Sequence, residues 1–228
     1  MPSTLPDHIY HIYHMAEAAN WPSIREYGLL PATDLIARAG LIGADRDILE
    51  RAQRPDHTVL PKGAEIRDQK PMPTSALRAC LVGLTPADWC ALINARVFFW
   101  FDPDRLNRQR AACGSRPQVV LTFDAPALVA AYEDMVALTP INTGNARRAP
   151  ARRSAATFVP YESWIESGWA SEVASLGTKE RSRSHAPVEL TVVGPIPDAS
   201  RFVLAVTELG DGEAFTSGVV GRGKAGRR

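Results

Sequence analysis

Apolar and polar residues alternate from Ile9 to Met15, which reads as a short strand with Ile9, His11 and Tyr13 on one face and Tyr10, Ile12 and His14 on the other. The period then lengthens. Asn20-Trp21-Pro22-Ser23 reads as a helix start, with Asn20 as N-cap and Pro22 in the first turn, and Gly28 is the natural left-handed stop. Further helical stretches are expected over 32–39 and 42–54, then a long proline-rich loop over 55–75. A helix follows over 75–82, and Thr85-Pro86-Ala87-Asp88 opens another with Thr85 as its cap.

The second half is richer in strands. Arg96–Phe101 is an aromatic run closed by Asp102-Pro103, with a helix after it to about Ala112. Gln118–Phe123, Val136–Thr139, Val188–Val193 and Phe202–Glu208 read as strands, with a helix over 126–132 and a helical turn over 161–167. The stretches 142–156 and 168–186 read as a basic loop and a polar loop. Helices gathered early and strands late indicate an α+β domain over residues 9–208, with 209–228 as a flexible basic tail.

Composition changes this picture little. With 228 residues and 45% hydrophobic content the chain can bury a sizeable core. A net charge of +1 argues against strong nonspecific attraction to nucleic acid, so such a preference has to come from local patches. Cys80, Cys90 and Cys113 fit no metal-ligand spacing, and three cysteines cannot all pair, so no metal is expected. No signal peptide is legible and no run approaches the ~20 apolar residues of a membrane span. A cytoplasmic protein without a membrane partner is the expectation.

Several residues carry candidate chemistry. Glu189 opens an apolar strand next to a polar loop, which places a carboxylate at a cleft edge where it can stabilise positive charge or take a proton. His14, at the end of the first strand, can hydrogen-bond a polar ligand, and Tyr13 and Trp100 offer aromatic surface to a base or ring. Arg147 and Arg148, continuing to Arg152-Arg153, and a second cluster from Lys179 through Arg181 to Arg183, supply local positive density on the acceptor side of such a cleft. Each has an ordinary alternative: an exposed strand carboxylate, a core histidine, packing aromatics, solvated loop charges.

Three ordered islands resemble the DarT-like family of ADP-ribosyltransferases: Ile12-Tyr13-His14-Met15 with Asn20-Trp21-Pro22-Ser23-Ile24 and Gly28-Leu29-Leu30; Val97 to Pro103; and Pro187-Val188-Glu189-Leu190-Thr191-Val192. The resemblance implies an ADP-ribosyltransferase-like split twisted β-sheet core flanked by helices, with NAD held between its halves as the ADP-ribose donor. It implies that Tyr13, His14, Asn20 and Trp100 contact NAD and that Glu189 is the catalytic carboxylate. An arginine after the second helix completes the site, with Arg67 the best match and Arg78 the runner-up. It further implies a nucleobase of single-stranded DNA or RNA as acceptor, and a toxin-like role with an antitoxin or immunity protein as partner. Two other functions fit the same residues: a noncatalytic NAD-, nucleotide- or partner-binding module, and an NAD-dependent RNA 2′-phosphotransferase.

Overall fold

The computed structural model describes residues 10–182 and 184–217. Ile9, Arg183 and the 218–228 part of the expected tail lie outside them. The first strand, β1 (His11–Glu17), leads through a 3-10 turn into α1 (Trp21–Tyr27), α2 (Ala32–Arg38) and α3 (Gly43–Arg51). The hairpin β2 (Thr58–Val59) and β3 (Glu65–Ile66) precedes α4 (Thr74–Cys80), α5 (Pro86–Asn94) and β4 (Arg96–Trp100). Then come α6 (Pro103–Ala112), β5 (Gln118–Asp124), α7 (Ala125–Tyr132), β6 (Val136–Thr139), β7 (Val159–Pro160), α8 (Tyr161–Ser167), α9 (Ala170–Leu176), β8 (Glu189–Val193) and β9 (Val203–Leu209).

Local chemistry accounts for several boundaries. Thr85 Oγ1 accepts from the Asp88 backbone N–H at 3.2 Å while Asp88 accepts from the Thr85 N–H at 3.1 Å, the reciprocal cap expected at α5. Gly28 ends α1 at φ 75°, and a Cβ there would sit 2.1 Å from the Ile196 carbonyl oxygen, because Leu29 and Ile196 form a bridge across that point. Asn20 departs from expectation. It precedes α1, but its side chain makes no cap; it donates to Glu65 O and accepts from Glu65 N–H, both at 2.8 Å, tying the start of α1 to β3.

Seven strands form one sheet in the order β7-β6-β8-β4-β1-β5-β9, with every pair antiparallel. Residues of opposite parity bury on opposite faces. Ile12, Phe99, Leu121 and Leu190 join the core under α7, α8 and α1; Tyr13, Met15 and Trp100 pack on the other face against Leu106 of α6; and Trp89 and Leu77 of α5 and α4 cover Ala137 and Phe158. The fold is thus α+β with helices on both faces, as the sequence indicates.

The sheet is split. β1 and β5 keep register over seven pairs and β4 and β8 over five, but β1 meets β4 at Tyr13–Trp100 alone. One row crosses that junction: Thr139 of β6, Glu189 of β8, Trp100 of β4, Tyr13 of β1 and Thr122 of β5. Beyond it the two halves diverge.

Three segments depart from expectation. The 55–75 loop contains the β2–β3 hairpin, which buries Ile66. The 168–186 polar loop contains α9, which buries Leu176 and Glu172, the latter paired with Arg181. The expected tail from 209 is partly packed: Leu209 ends β9, and the buried Phe215 lies edge-on to Tyr13, with ring centroids 5.2 Å apart. An aromatic inside a glycine-rich stretch was the missed signal.

Candidate functional site

Where β1 and β4 part, a side chain replaces the missing ladder. His14 Nδ1 donates to the Phe98 carbonyl at 2.9 Å, and its ring packs on Phe99 with centroids 5.6 Å apart. A carbonyl can only accept, so the proton sits on Nδ1 and Nε2 carries the lone pair. Burial, assisted by the nearby Arg67 charge, lowers the imidazole to about 4, so the ring is neutral at pH 7. Nε2 has no protein partner among the described residues, and His14 lines a cavity of about 680 Å³ that fills the split.

Glu189 lines the same cavity. It is 4% exposed, and one of its oxygens is fully occupied: Oε2 accepts from Thr143 Oγ1 at 2.8 Å, Thr139 Oγ1 at 3.0 Å and the Thr143 backbone N–H at 3.2 Å. Among the described residues Oε1 has no hydrogen-bond partner, and it is not among the sealed, unsatisfied atoms, so it is the oxygen open to the cavity. Burial pushes the carboxyl up to about 7, against the opposing hydrogen bonds from Thr143 and Thr139 and the charge of Arg153. Thr139 has one hydroxyl proton for two acceptors, Ile141 O at 2.9 Å and Glu189 Oε2 at 3.0 Å. When it turns to Ile141, a protonated Glu189 can donate to the Thr139 oxygen. Both protonation states of Glu189 are therefore accommodated, which suits a group that gives and takes a proton near neutral pH.

Arg67 enters the cavity from the segment after β3, held by a buried anion. Its Nε donates to Glu17 Oε1 at 3.2 Å, its Nη2 donates to Gln118 Oε1, and Arg116 Nε donates to Glu17 Oε2 at 3.3 Å. Burial alone would raise the Glu17 carboxyl; Arg67, Gln118 and Arg116 outweigh it and hold the group below the usual carboxylate range. Glu17, His57 and Glu65 bring ligand-type atoms within 4.8 Å of one another, but both Glu17 oxygens are already taken by these donors, and His57 Nε2 bonds Glu65 Oε2 at 2.9 Å. Behind them Arg54, 7% exposed, donates to Arg67 O at 3.0 Å, Leu49 O at 2.6 Å and Asn94 Oδ1 at 3.1 Å. Arg54 thus braces the segment that presents Arg67. Arg78, the runner-up for this role, is exposed on α4 and away from the cavity.

His14, Asn20, Arg67, Trp100, Arg147 and Glu189 therefore come together on one cavity. Asn20 arrives with its amide spent on Glu65, and Trp100 with its indole N–H bound to Gln109 Oε1 at 2.7 Å, so each offers surface more than donors. Other residues are placed elsewhere. Tyr13 does not line the cavity, although its row neighbours Trp100 and Glu189 do; its ring packs edge-on against Phe215, with its hydroxyl 3.3 Å from Ser217 Oγ. Arg148 is exposed at φ 53° and Lys179 is exposed outside the cavity. Arg181 is an internal cation, forked onto the fully buried Glu172 at 2.9 and 3.1 Å.

A second cavity of about 320 Å³ adjoins the first, and Arg105, Asn142, Asn145 and Arg147 line both. Its own wall includes Arg153 and His185, whose Nε2 donates to Pro140 O at 2.9 Å. Thr139, Thr143 and Arg54 escape a reading of the sequence because nothing local marks them, and Arg153, expected as a loop charge on the acceptor side, is instead buried on Thr143 O; the Thr143–Glu189 bonds span 46 residues. Among the described residues no helix is long and apolar enough to cross a membrane, and the three cysteines are buried and unpaired.

Residues 10–203 match a family of unknown function, DUF7002. No curated protein matches the chain. The structure is similar to that of Thermosipho africanus DarTG in complex with ADP-ribose, at 14% identity and a TM-score of 0.38, over 86% of this chain and 43% of that one. The chain thus spans less than half the length of that protein.

Proposed function

The chain belongs to the DUF7002 family, whose function is unknown, and for it we propose an NAD-dependent ADP-ribosyltransferase that acts on a nucleobase of DNA or RNA. The observation that carries the proposal is the single open oxygen of Glu189, Oε1, in a cavity that also holds the neutral His14 and the braced Arg67. At about 680 Å³ the cavity has the size of a cofactor site, typically ~300–1,000 Å³.

Each group has a role in such a transfer. Loss of nicotinamide from NAD leaves positive charge on the ribose carbon, and the ionised Glu189 stabilises it from Oε1 while orienting a ribose hydroxyl. The same oxygen then takes the proton of the attacking acceptor nitrogen or hydroxyl. His14 Nε2, a lone pair that stays unprotonated at pH 7, accepts from a ribose hydroxyl or the carboxamide. Arg67 presents a guanidinium to the donor phosphates. The second cavity, with Arg105 and Arg147 on the shared wall, receives the acceptor.

Incubation with isotope-labelled NAD and single-stranded DNA or RNA oligonucleotides, read by mass spectrometry, tests this. An oligonucleotide heavier by one ADP-ribose supports transfer. A cyclic phosphate product would point to 2′-phosphotransfer, and bound but unchanged NAD to a binding module.

A further inference from the structure

The connection between β6 and β7 carries a residue that reaches Glu189 through another. Thr143 is held at both of its backbone groups: its N–H donates to Glu189 Oε2 at 3.2 Å, and its carbonyl accepts from Arg153 Nη1 at 3.2 Å. A buried anion and a buried cation thus face each other across one residue. Arg153 is 2% exposed and itself fixed. Its Nε donates to Ala151 O at 3.1 Å, its backbone N–H donates to Cys80 O at 2.9 Å, its carbonyl accepts from Val82 N–H at 2.9 Å, and its guanidinium lies 5.6 Å from the centre of the Trp89 ring. The end of α4 and the body of α5 therefore hold Arg153, Arg153 holds Thr143, and Thr143 holds Glu189.

A guanidinium this deeply buried is costly to desolvate and makes no salt bridge within 4 Å among the described residues. Surface solubility or a loop contact would not require it. The arrangement has a consequence at the carboxylate: with both Thr143 groups and Thr139 on Oε2, only Oε1 is left to face the cavity. We propose that Arg153 is a positioning residue for Glu189, fixing the Thr143 peptide so that Oε2 is anchored and Oε1 is presented. The proposal rests on Glu189 being the catalytic carboxylate, but the positioning itself is measurable in the free protein.

The charged and titratable groups facing this corner are Arg153, the Cys80 thiol of α4 beside it, Arg105 of α6, Arg147 on the same connection and His185 ahead of β8. Of these, Arg153 is the one whose charge opposes the effect of burial on the Glu189 carboxyl and whose guanidinium bonds Thr143.

The test uses the full chain with carboxyl-¹³C-labelled glutamate, the Glu189 signal being assigned with Glu189→Gln. The Glu189 midpoint is followed by NMR in the wild type, Arg153→Met, Arg153→Gln and Arg153→Lys. Loss of the cation and of its hold on Thr143 is expected to raise the midpoint in the Met variant, less so in the Gln variant, while Lys restores most of it. If Arg153→Met does not fold, Arg153→Gln, which keeps a donor for Thr143 O, decides. Turnover is measured alongside: kcat is expected to fall at least ~10-fold with KM for NAD little changed, its pH profile following the midpoint. A folded neutral variant with an unmoved Glu189 midpoint and unchanged pH profile would overturn the positioning role, even if NAD is turned over. A moved midpoint in a protein that never releases nicotinamide would leave the positioning standing and remove the transferase function instead.

Discussion

His14 Nδ1 and Phe98 O, 84 residues apart in sequence, are joined at 2.9 Å where the ladder between β1 and β4 has run out. The bond bridges the two halves of the sheet and fixes which imidazole nitrogen faces the cavity. His14→Leu leaves the Phe98 carbonyl without that donor and is expected to cost about 1–3 kcal/mol in urea unfolding. His14→Asn, whose amide can still donate, is expected to cost less. Both are expected to weaken NAD binding in calorimetry, because neither returns the Nε2 lone pair.

His14 and Glu189 are expected to oppose each other in the pH dependence of stability. The His14 imidazole drops from 6.5 to about 4 on folding, so the unfolded chain holds the extra proton and stability is lost as pH falls from 6.5 toward 4. The Glu189 carboxyl rises from 4.5 to about 7, so the folded chain holds the extra proton and stability is lost as pH rises from 4.5 to 7. Between 4.5 and 6.5 the two slopes cancel. In Glu189→Gln the cancellation is removed, and stability should climb with pH across that window by an amount on the order of 3 kcal/mol at most. The variant should also unfold at a higher temperature than the wild type at pH 8, where the wild type carries an ionised, buried Glu189. Thermal unfolding from pH 4 to pH 8 gives both; parallel curves for the two proteins would contradict the assignment.

Arg67 and Arg78 are separable by binding. Arg67 lines the cavity and Arg78 is exposed on α4. Arg67→Gln is expected to weaken NAD binding roughly 10- to 100-fold, the worth of one charge-assisted contact, whereas Arg78→Gln should leave it unchanged. Equal effects at the two positions would remove Arg67 from the site.

Arg181 is expected to matter for stability and not for acceptor binding. Its fork onto Glu172, a carboxylate with no exposure, makes it the compensating charge of a buried pair. Arg181→Ala should cost about 3–5 kcal/mol, since it strands Glu172. Binding of a short single-stranded oligonucleotide should be unaffected in protein that remains folded. Arg147→Ala should show the reverse, with little loss of stability and weaker oligonucleotide binding.

The longer strands, the α5 cap and the α+β class were legible because each depends on neighbours in sequence: alternation in β1, a Thr–Asp pair four residues wide, aromatic runs in β4. The positions of His14 and Glu189 were legible for the same reason, since a polar residue at the edge of an apolar strand has few places to go. What could not be read is long-range. Thr143 and Arg153 look like two members of a basic, small-residue loop until the fold brings them to Glu189. Arg181 looks like a surface charge until α9 places Glu172 beneath it. Tyr13 is kept from the cavity by its packing on Phe215, 202 residues away in sequence, which nothing next to Tyr13 announces.

The most direct measurement is nicotinamide release from NAD by the wild type and by Glu189→Gln, with NAD binding measured on the same samples. Wild-type protein should release nicotinamide, with kcat rising through about pH 7 as Glu189 ionises. Glu189→Gln should bind NAD within a few-fold of the wild type and release at least ~100-fold more slowly. Equal release by both proteins, or tight NAD binding with no release by the wild type at any pH from 6 to 9, would contradict a transferase built on Glu189.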